Sequence, residues 1–218
     1  MFATRPEAPL AQVRGVLGDP DALRARIHRA LADREPRAVR SAADSRRAAV
    51  LVPLIFAPGG PAFVLTQRTD TVEHHKGQIS FPGGRVEPDE APLAAALRET
   101  SEEIGVPPAD VRVLGRLDEE DVRVSGFVVS PFVCEIPYPA RLRLSAHEVR
   151  AVVLAPLAAL LDPRNVRAER RDWNGAPVVF YFYQIGREVI WGATGRIIAG
   201  FLDMVFGVPP PLPERRGG

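Results

Sequence analysis

Apolar positions in this chain follow two rhythms. From Ala48, the runs AAVLVPLIF and AFVLTQR are dense in aliphatic residues and flank the turn-forming cluster APGGP, which predicts a β-hairpin. The first run is almost wholly apolar and predicts a strand buried on both faces. A shorter strand, QISF, leads into Pro82, Gly83 and Gly84, glycines that let backbone approach a ligand. The pattern then changes to a helical one. In APLAAALRETSEEIGV, successive residues placed about 100° apart bring Leu93, Leu97 and Ile104 within roughly 40° of one another, with Glu99, Glu102 and Glu103 on the opposite side. Asp89 or Glu90 is the expected N-cap, Pro92 suits the first turn, and Gly105 suits a left-handed C-terminal residue.

After this helix, VRVLGRL and the longer DVRVSGFVVSPFVCEI predict strands, with Pro131 pushing the second toward an edge or a bulge. HEVRAVVLAPL predicts a strand that passes into a short helix, PLAALL. PVVFYFYQI predicts an aromatic strand, and VIWGATGRIIAGFLDMVFG a strand end followed by an apolar helix. Upstream, Asp21 is the expected N-cap of DALRARIHRALADR, an arginine-rich helix with one stripe of Leu23, Ile27 and Leu31. Polar, proline-broken REPRAVRSAADSRR reads as a linker. The expected organisation is an N-terminal helical accessory segment and linker over 1–46, a main domain over 47–207 and a proline-rich tail over 208–218. Strands and helices mix without a regular βαβ rhythm, so the fold class is α+β with a mixed sheet.

Composition narrows the function. At 218 residues and 46% hydrophobic, the chain supports one domain with a real core. Lys and Arg number 28 against 27 Asp and Glu, so no overall field favours nucleic acid or an anionic membrane, and an anionic ligand needs a local site. One cysteine, Cys134, excludes an internal disulfide and fits a reducing compartment. No apolar run reaches the roughly 20 residues of a membrane span, and the expected location is cytoplasmic.

Glu99, Glu102 and Glu103 stand at i, i+3 and i+4, about 5–6 Å apart at Cβ. Such a triplet is either a solvated face or, in a cleft, a set of mutually repelling carboxylates that a cation would relieve. Oxygen-only ligation favours Mg²⁺ or Mn²⁺ over zinc. Tandem His74-His75 makes a poor zinc pair, because adjacent residues of a strand point to opposite faces.

The spacing Gly84, five residues, Glu90, seven residues, then Arg98-Glu99-Thr100-Ser101-Glu102-Glu103-Ile104-Gly105-Val106 resembles the complete Nudix box. Only Thr100, at an apolar position, is loose. The resemblance implies an α/β/α sandwich with a mixed β-sheet. It implies that Glu99, Glu102 and Glu103 hold Mg²⁺ or Mn²⁺, helped by the Gly84 carbonyl, and that Glu90 pairs with Arg98 in a structural role shared with Gly105. It also implies hydrolysis of a nucleoside diphosphate linked to another group. Glu102 or Glu103 is a candidate proton acceptor. So is Glu148, because SAHEVRAVVL resembles a Ser-x-x-Glu-Val segment that returns an acidic residue to the Nudix cleft.

A second resemblance reaches upstream. VLTQRTDTVEHHKGQISFPGG is similar to the segment before the box in the coenzyme A diphosphatase subgroup, matching at Leu65, Thr66, Arg68, Gly77, Phe81, Pro82, Gly83 and Gly84. WGATGRI is similar to the same subgroup. This implies cleavage of coenzyme A or its thioesters to 3′,5′-ADP and a 4′-phosphopantetheine species. Arg68, Lys76 and Arg85 are the nearest cationic candidates in sequence for its phosphates, Arg68 and Lys76 being weighed against a structural salt bridge. Glu73 stands where the subgroup usually carries arginine, with His75 and Lys76 as replacement charge, and it favours ADP-ribose, NADH or a nucleoside triphosphate as alternatives. A nucleotide-binding domain without turnover is the reading from another class. Small-molecule nucleotide substrates are the expected partners, with room for a homodimer.

Overall fold

The 46–57 run buries both of its faces, and the rest of the chain is layered around it. The computed structural model describes residues 10–32, 34–39, 45–69, 77–122, 125–173, 176–211 and 213. Two helices, α1 (Leu10–Leu17) and α2 (Pro20–Leu31), precede the strands β1 (Arg46–Ala57), β2 (Gly60–Arg68), β3 (Ile79–Ser80) and β4 (Gly83–Arg85). Helix α3 (Pro92–Ile104) follows, then β5 (Arg112–Arg116), β6 (Glu120–Val122), β7 (Phe127–Glu135) and β8 (Val149–Pro156). A short α4 (Leu157–Leu160) leads to β9 (Val166–Trp173), β10 (Ala176–Ile185), β11 (Glu188–Ile190) and α5 (Gly192–Phe206).

β1 pairs antiparallel with β2 and β4 and parallel with β7, so the larger sheet is mixed. On one face Ala49, Leu51 and Ile55 of β1 pack with Ala95, Ala96 and Ile104 of α3. On the other, Val52 and Leu54 join Phe63, Phe201 and the α2 residues Leu23, Ile27 and Leu31. The sheet thus lies between α3 and the pair α2 and α5, an α/β/α sandwich of the α+β class. A second sheet, ordered β11-β10-β9, is antiparallel throughout. Among the described residues no helix is long and apolar enough to cross a membrane.

Local chemistry departs from the expected pattern in several places. The α2 cap is Asp19, whose Oδ1 accepts from the Asp21 and Ala22 N–H groups, so Asp21 lies inside the first turn. The α3 N-cap is Ala91, which makes no side-chain bond. Its inner face is Ala95, Ala96, Thr100 and Ile104, all fully buried, while Leu93 and Leu97 are only partly buried at its flank. Small residues at this contact let the helix sit close to β1. Thr100 spends its hydroxyl on the Ala96 carbonyl, 2.7 Å away, which lets a polar residue fill an apolar position.

The expected strand 121–136 is broken into β6 and β7, with the Ser125 and Gly126 N–H groups both donating to the Val122 carbonyl. Pro131 is at neither an edge nor a bulge: it pairs with Val50 on β1, and its other side is where β7 exchanges β6 for β5. Its carbonyl accepts from Leu117 N–H at that junction. Just beyond lies Glu119, whose side chain is 1% exposed. It accepts from Val39 N–H at 3.0 Å, Arg116 Nη2 at 2.6 Å and Ser130 Oγ at 3.1 Å, and faces Arg47 at 3.4 Å. Residues 34–39 are thereby stitched to the sheet, with Arg37 N–H on Asp118 and Glu119 N–H on the Arg37 carbonyl.

Candidate active site

Two adjacent glycines bring β4 against α3. Gly83 holds φ 145°, and a Cβ there would meet the Ala49 carbonyl oxygen at 2.3 Å. Its N–H donates to Glu103 Oε2 at 3.2 Å. At Gly84 a Cβ would stand 2.4 Å from the Glu99 carboxyl group, so a bare backbone is what gives this carboxylate its place. At the other end of the helix, Gly105 closes α3 at φ 72° and donates to the Ser101 carbonyl. A Cβ on Gly105 would press on Arg143, a residue of the following loop, at 2.9 Å.

Arg98 organises the opposite edge. Its guanidinium forks onto Glu90, with Nε to Oε1 at 2.9 Å and Nη2 to Oε2 at 3.0 Å. Nη1 reaches Glu99 at 2.8 Å and Glu102 at 3.4 Å, and Nη2 also reaches the Arg85 carbonyl at 3.2 Å. Arg98 therefore joins the acidic loop, β4 and the helix, and it holds the Glu90 carboxyl below the usual carboxylate range, helped by the Glu87 N–H.

Glu103 is 5% exposed. Burial pushes its carboxyl up to about 7, against the pull of the Gly83 N–H and the positive charge of Arg68, while the charges of Glu99 and Glu148 add to the rise. Burial also raises Glu99, opposed by Arg98 and reinforced by Glu102 and Glu148. These mutual effects bring Glu99, Glu103, Glu148 and Arg68 into one electrostatic cluster. Arg68 ends β2, and its buried Nε has no hydrogen-bond partner among the described residues. Glu148 is exposed in the turn before β8, Glu102 is exposed on α3, and Arg85 is exposed at the end of β4. Lys76, with Glu73, His74 and His75, lies outside the described residues.

The donor set fits a hard divalent cation. It is all oxygen, it includes two carboxyls that burial raises above the usual carboxylate range, and the bare Gly84 backbone borders it. Among the described residues no three acidic, histidine or cysteine groups already converge as ligands, because Arg98 draws Glu99 and Glu102 while the Gly83 N–H holds Glu103.

One group of contacts went unread in the sequence. The loop 143–148 returns to the site through Arg143 N–H on the Ile104 carbonyl and Ser145 N–H on the Glu103 carbonyl, both at 2.9 Å. These use carbonyls that the helix C-terminus leaves open. Thr69 bonds the far side of the same loop. Backbone pairings of this kind carry no residue signature, so only the neighbouring Glu148 was visible as a candidate.

A family model described as the NUDIX domain matches residues 45–174. The uncharacterized Nudix hydrolase NudL of Klebsiella pneumoniae subsp. pneumoniae is 41% identical over 169 residues, spanning 75% of this chain and 84% of that protein. NudL of Salmonella paratyphi B is 39% identical over 181 residues, spanning 80% and 90%. Among solved structures, a MutT/nudix family protein from Enterococcus faecalis aligns over 92% of this chain and 74% of its own, with TM-score 0.49 and 16% identity. A C. elegans Ap4A hydrolase binary complex aligns over 51% and 80%, with TM-score 0.44 and 24% identity. Nudix hydrolases generally use divalent ions such as Mg²⁺ or Mn²⁺. With the box and its geometry in place, the chain belongs to the Nudix family of hydrolases, which act on nucleoside diphosphate derivatives.

Proposed function

We propose that this protein hydrolyses the diphosphate of coenzyme A or its thioesters, giving 3′,5′-ADP and 4′-phosphopantetheine or its acyl form. The observation that carries this reading is the cluster of Glu99, Glu103, Glu148 and Arg68, whose arginine closes β2 inside the coenzyme A-like segment. Glu99, Glu102 and Glu103, with the Gly84 carbonyl, are the groups that would hold Mg²⁺ or Mn²⁺. When bound, the ion neutralises diphosphate charge and acidifies water. The proton of the attacking water goes to a carboxylate among Glu102, Glu103 and Glu148, the water oxygen bonds to phosphorus, and the bridging oxygen leaves with the other phosphate. Arg68, whose guanidinium carries a buried Nε with no partner among the described residues, binds a phosphate oxygen, and Lys76 and Arg85 are the nearest cationic helpers in sequence. Glu90, Arg98 and Gly105 keep the loop and helix in register.

Glu73 favours a second reading within the family, a substrate such as ADP-ribose, NADH or a nucleoside triphosphate, because an acidic residue repels an additional phosphate. Turnover of a panel of coenzyme A, ADP-ribose, NADH and nucleoside triphosphates with Mg²⁺ separates the two. Coenzyme A is expected to have the highest kcat/KM, and Glu103→Gln is expected to remove most turnover. A preference for ADP-ribose would move the substrate assignment to the second reading, and near-normal rates in the variant would move the chemistry away from α3.

A further inference from the structure

Glu148 is exposed, so side-chain packing does not locate it, and its place near Glu99 and Glu103 must come from the backbone that carries it. That backbone is bonded on two sides. From α3, the carbonyls of Glu103 and Ile104 hold Ser145 and Arg143. Inside the loop, the N–H groups of Glu148 and Val149 both donate to the Ser145 carbonyl, at 3.1 and 2.8 Å. From the β2 side, the attachment among the described residues is Thr69, which follows the strand. Thr69 N–H donates to the Glu148 carbonyl at 3.0 Å, and Thr69 Oγ1 donates to the His147 carbonyl at 2.9 Å.

The register explains why the attachment falls there. Gln67 pairs with Ala151 but Arg68 pairs with Val149, so the ladder between β2 and β8 shifts by one residue beside Arg68. Such a bulge turns the strand end and interrupts ordinary pairing. One bond at Glu148 would hold the β2 side of the turn at a single point, whereas the second at His147 adds a fixed orientation.

We infer that Thr69 is a positioning residue: its paired bonds to His147 and Glu148 set the loop so that the Glu148 carboxylate faces the α3 glutamates. This rests on the reading of Glu148 as a group that acts in hydrolysis. Thr69→Val keeps the β-branched shape and the N–H bond and removes only the hydroxyl, while Thr69→Ser keeps the hydroxyl.

Kinetics of the full chain with Mg²⁺ and its best diphosphate substrate, together with amide hydrogen exchange over 145–149, form the test. Thr69→Val is expected to lower kcat about tenfold with KM within about twofold, and Thr69→Ser to restore the rate. Exchange at 145–149 rises in the valine variant and returns in the serine variant. In a Glu148→Gln background, Thr69→Val adds no further loss. Unchanged kcat and exchange in Thr69→Val, failure of serine to rescue, or a fully additive loss in the Glu148→Gln background would overturn the inference. A wild-type rate for Glu148→Gln alone would overturn the role of Glu148 instead, and the exchange data would then decide whether Thr69 orients the loop.

Discussion

Glu103 concentrates the site's electrostatics in one buried group. Its carboxyl keeps a proton up to about 7 in the folded protein but releases it near the ordinary value of 4.5 when unfolded. Between those two values the folded state binds more protons, so metal-free stability falls as pH rises through that window, by at most about 3 kcal/mol. Glu99 shifts in the same direction. Urea denaturation of metal-free protein at pH 5 and pH 8 should show lower stability at pH 8, and Glu103→Gln should flatten most of the difference. Mg²⁺ added at pH 8 should recover more stability in the wild type than in the variant. An absent or reversed pH trend would mean that Glu103 is better solvated than its burial indicates.

At the scale of elements, the contact of α3 with β4 turns on two neighbouring glycines with different neighbours. Gly83→Ala would set its Cβ against backbone, 2.3 Å from the Ala49 oxygen and at φ 145°, and should cost about 2 kcal/mol or more of stability. Gly84→Ala meets only the end of the flexible Glu99 side chain, at 2.4 Å. The second variant should melt near the wild type yet lose about tenfold in Mg²⁺-dependent turnover, because Glu99 is displaced. Melting curves and kinetics on the two variants check the contrast, and equal melting points would remove the distinction.

How much of these elements was legible depended on whether a feature lay in one stretch of chain. The glutamate spacing, Pro92 and Gly105 are local, and all were readable. Of the expected core face of α3, Ile104 is fully buried while Leu93 and Leu97 pack at its flank; hydrophobicity ranks leucine above alanine, whereas packing on β1 places Ala95 and Ala96 at the centre. β9 carried no recognisable pattern, since VRAERRDW is charged. It becomes a strand by pairing with β10, where the guanidinium groups of Arg167 and Arg171 lie over the Phe182 ring, 4.0 and 5.6 Å from its centre. The Thr69 and Ser145 attachments were equally invisible: apart from the Thr69 hydroxyl they are main-chain bonds, and all of them join distant stretches.

For the whole molecule, the N-terminal helices share the core beneath the larger sheet. Leu23 and Ile27 are fully buried, and Leu31 sits on Gly115, where a Cβ would approach it to 2.5 Å. Ile27→Ala should cost about 2–5 kcal/mol. A chain of this size loses about 2–4 °C per kcal/mol, so the melting temperature should fall by roughly 4–20 °C. A shift under about 2 °C would show that α2 contributes little to the stability of the sheet.

The buried carboxylate of Glu119 has a practical corollary for protein engineering. Because Val39 N–H ends on that group and Arg37 on Asp118 and the Glu119 backbone, a tag, fluorophore or permuted terminus introduced within 34–39 would take a backbone donor from a buried charged side chain and leave it to Arg116, Ser130 and Arg47. The tip of the β1–β2 hairpin offers the contrary case: Pro58 and Gly59 are exposed, and a Cβ on Gly59 would meet nothing within 4 Å. Foreign sequence is best spliced there, on the side of the molecule that leaves the glutamate cluster undisturbed.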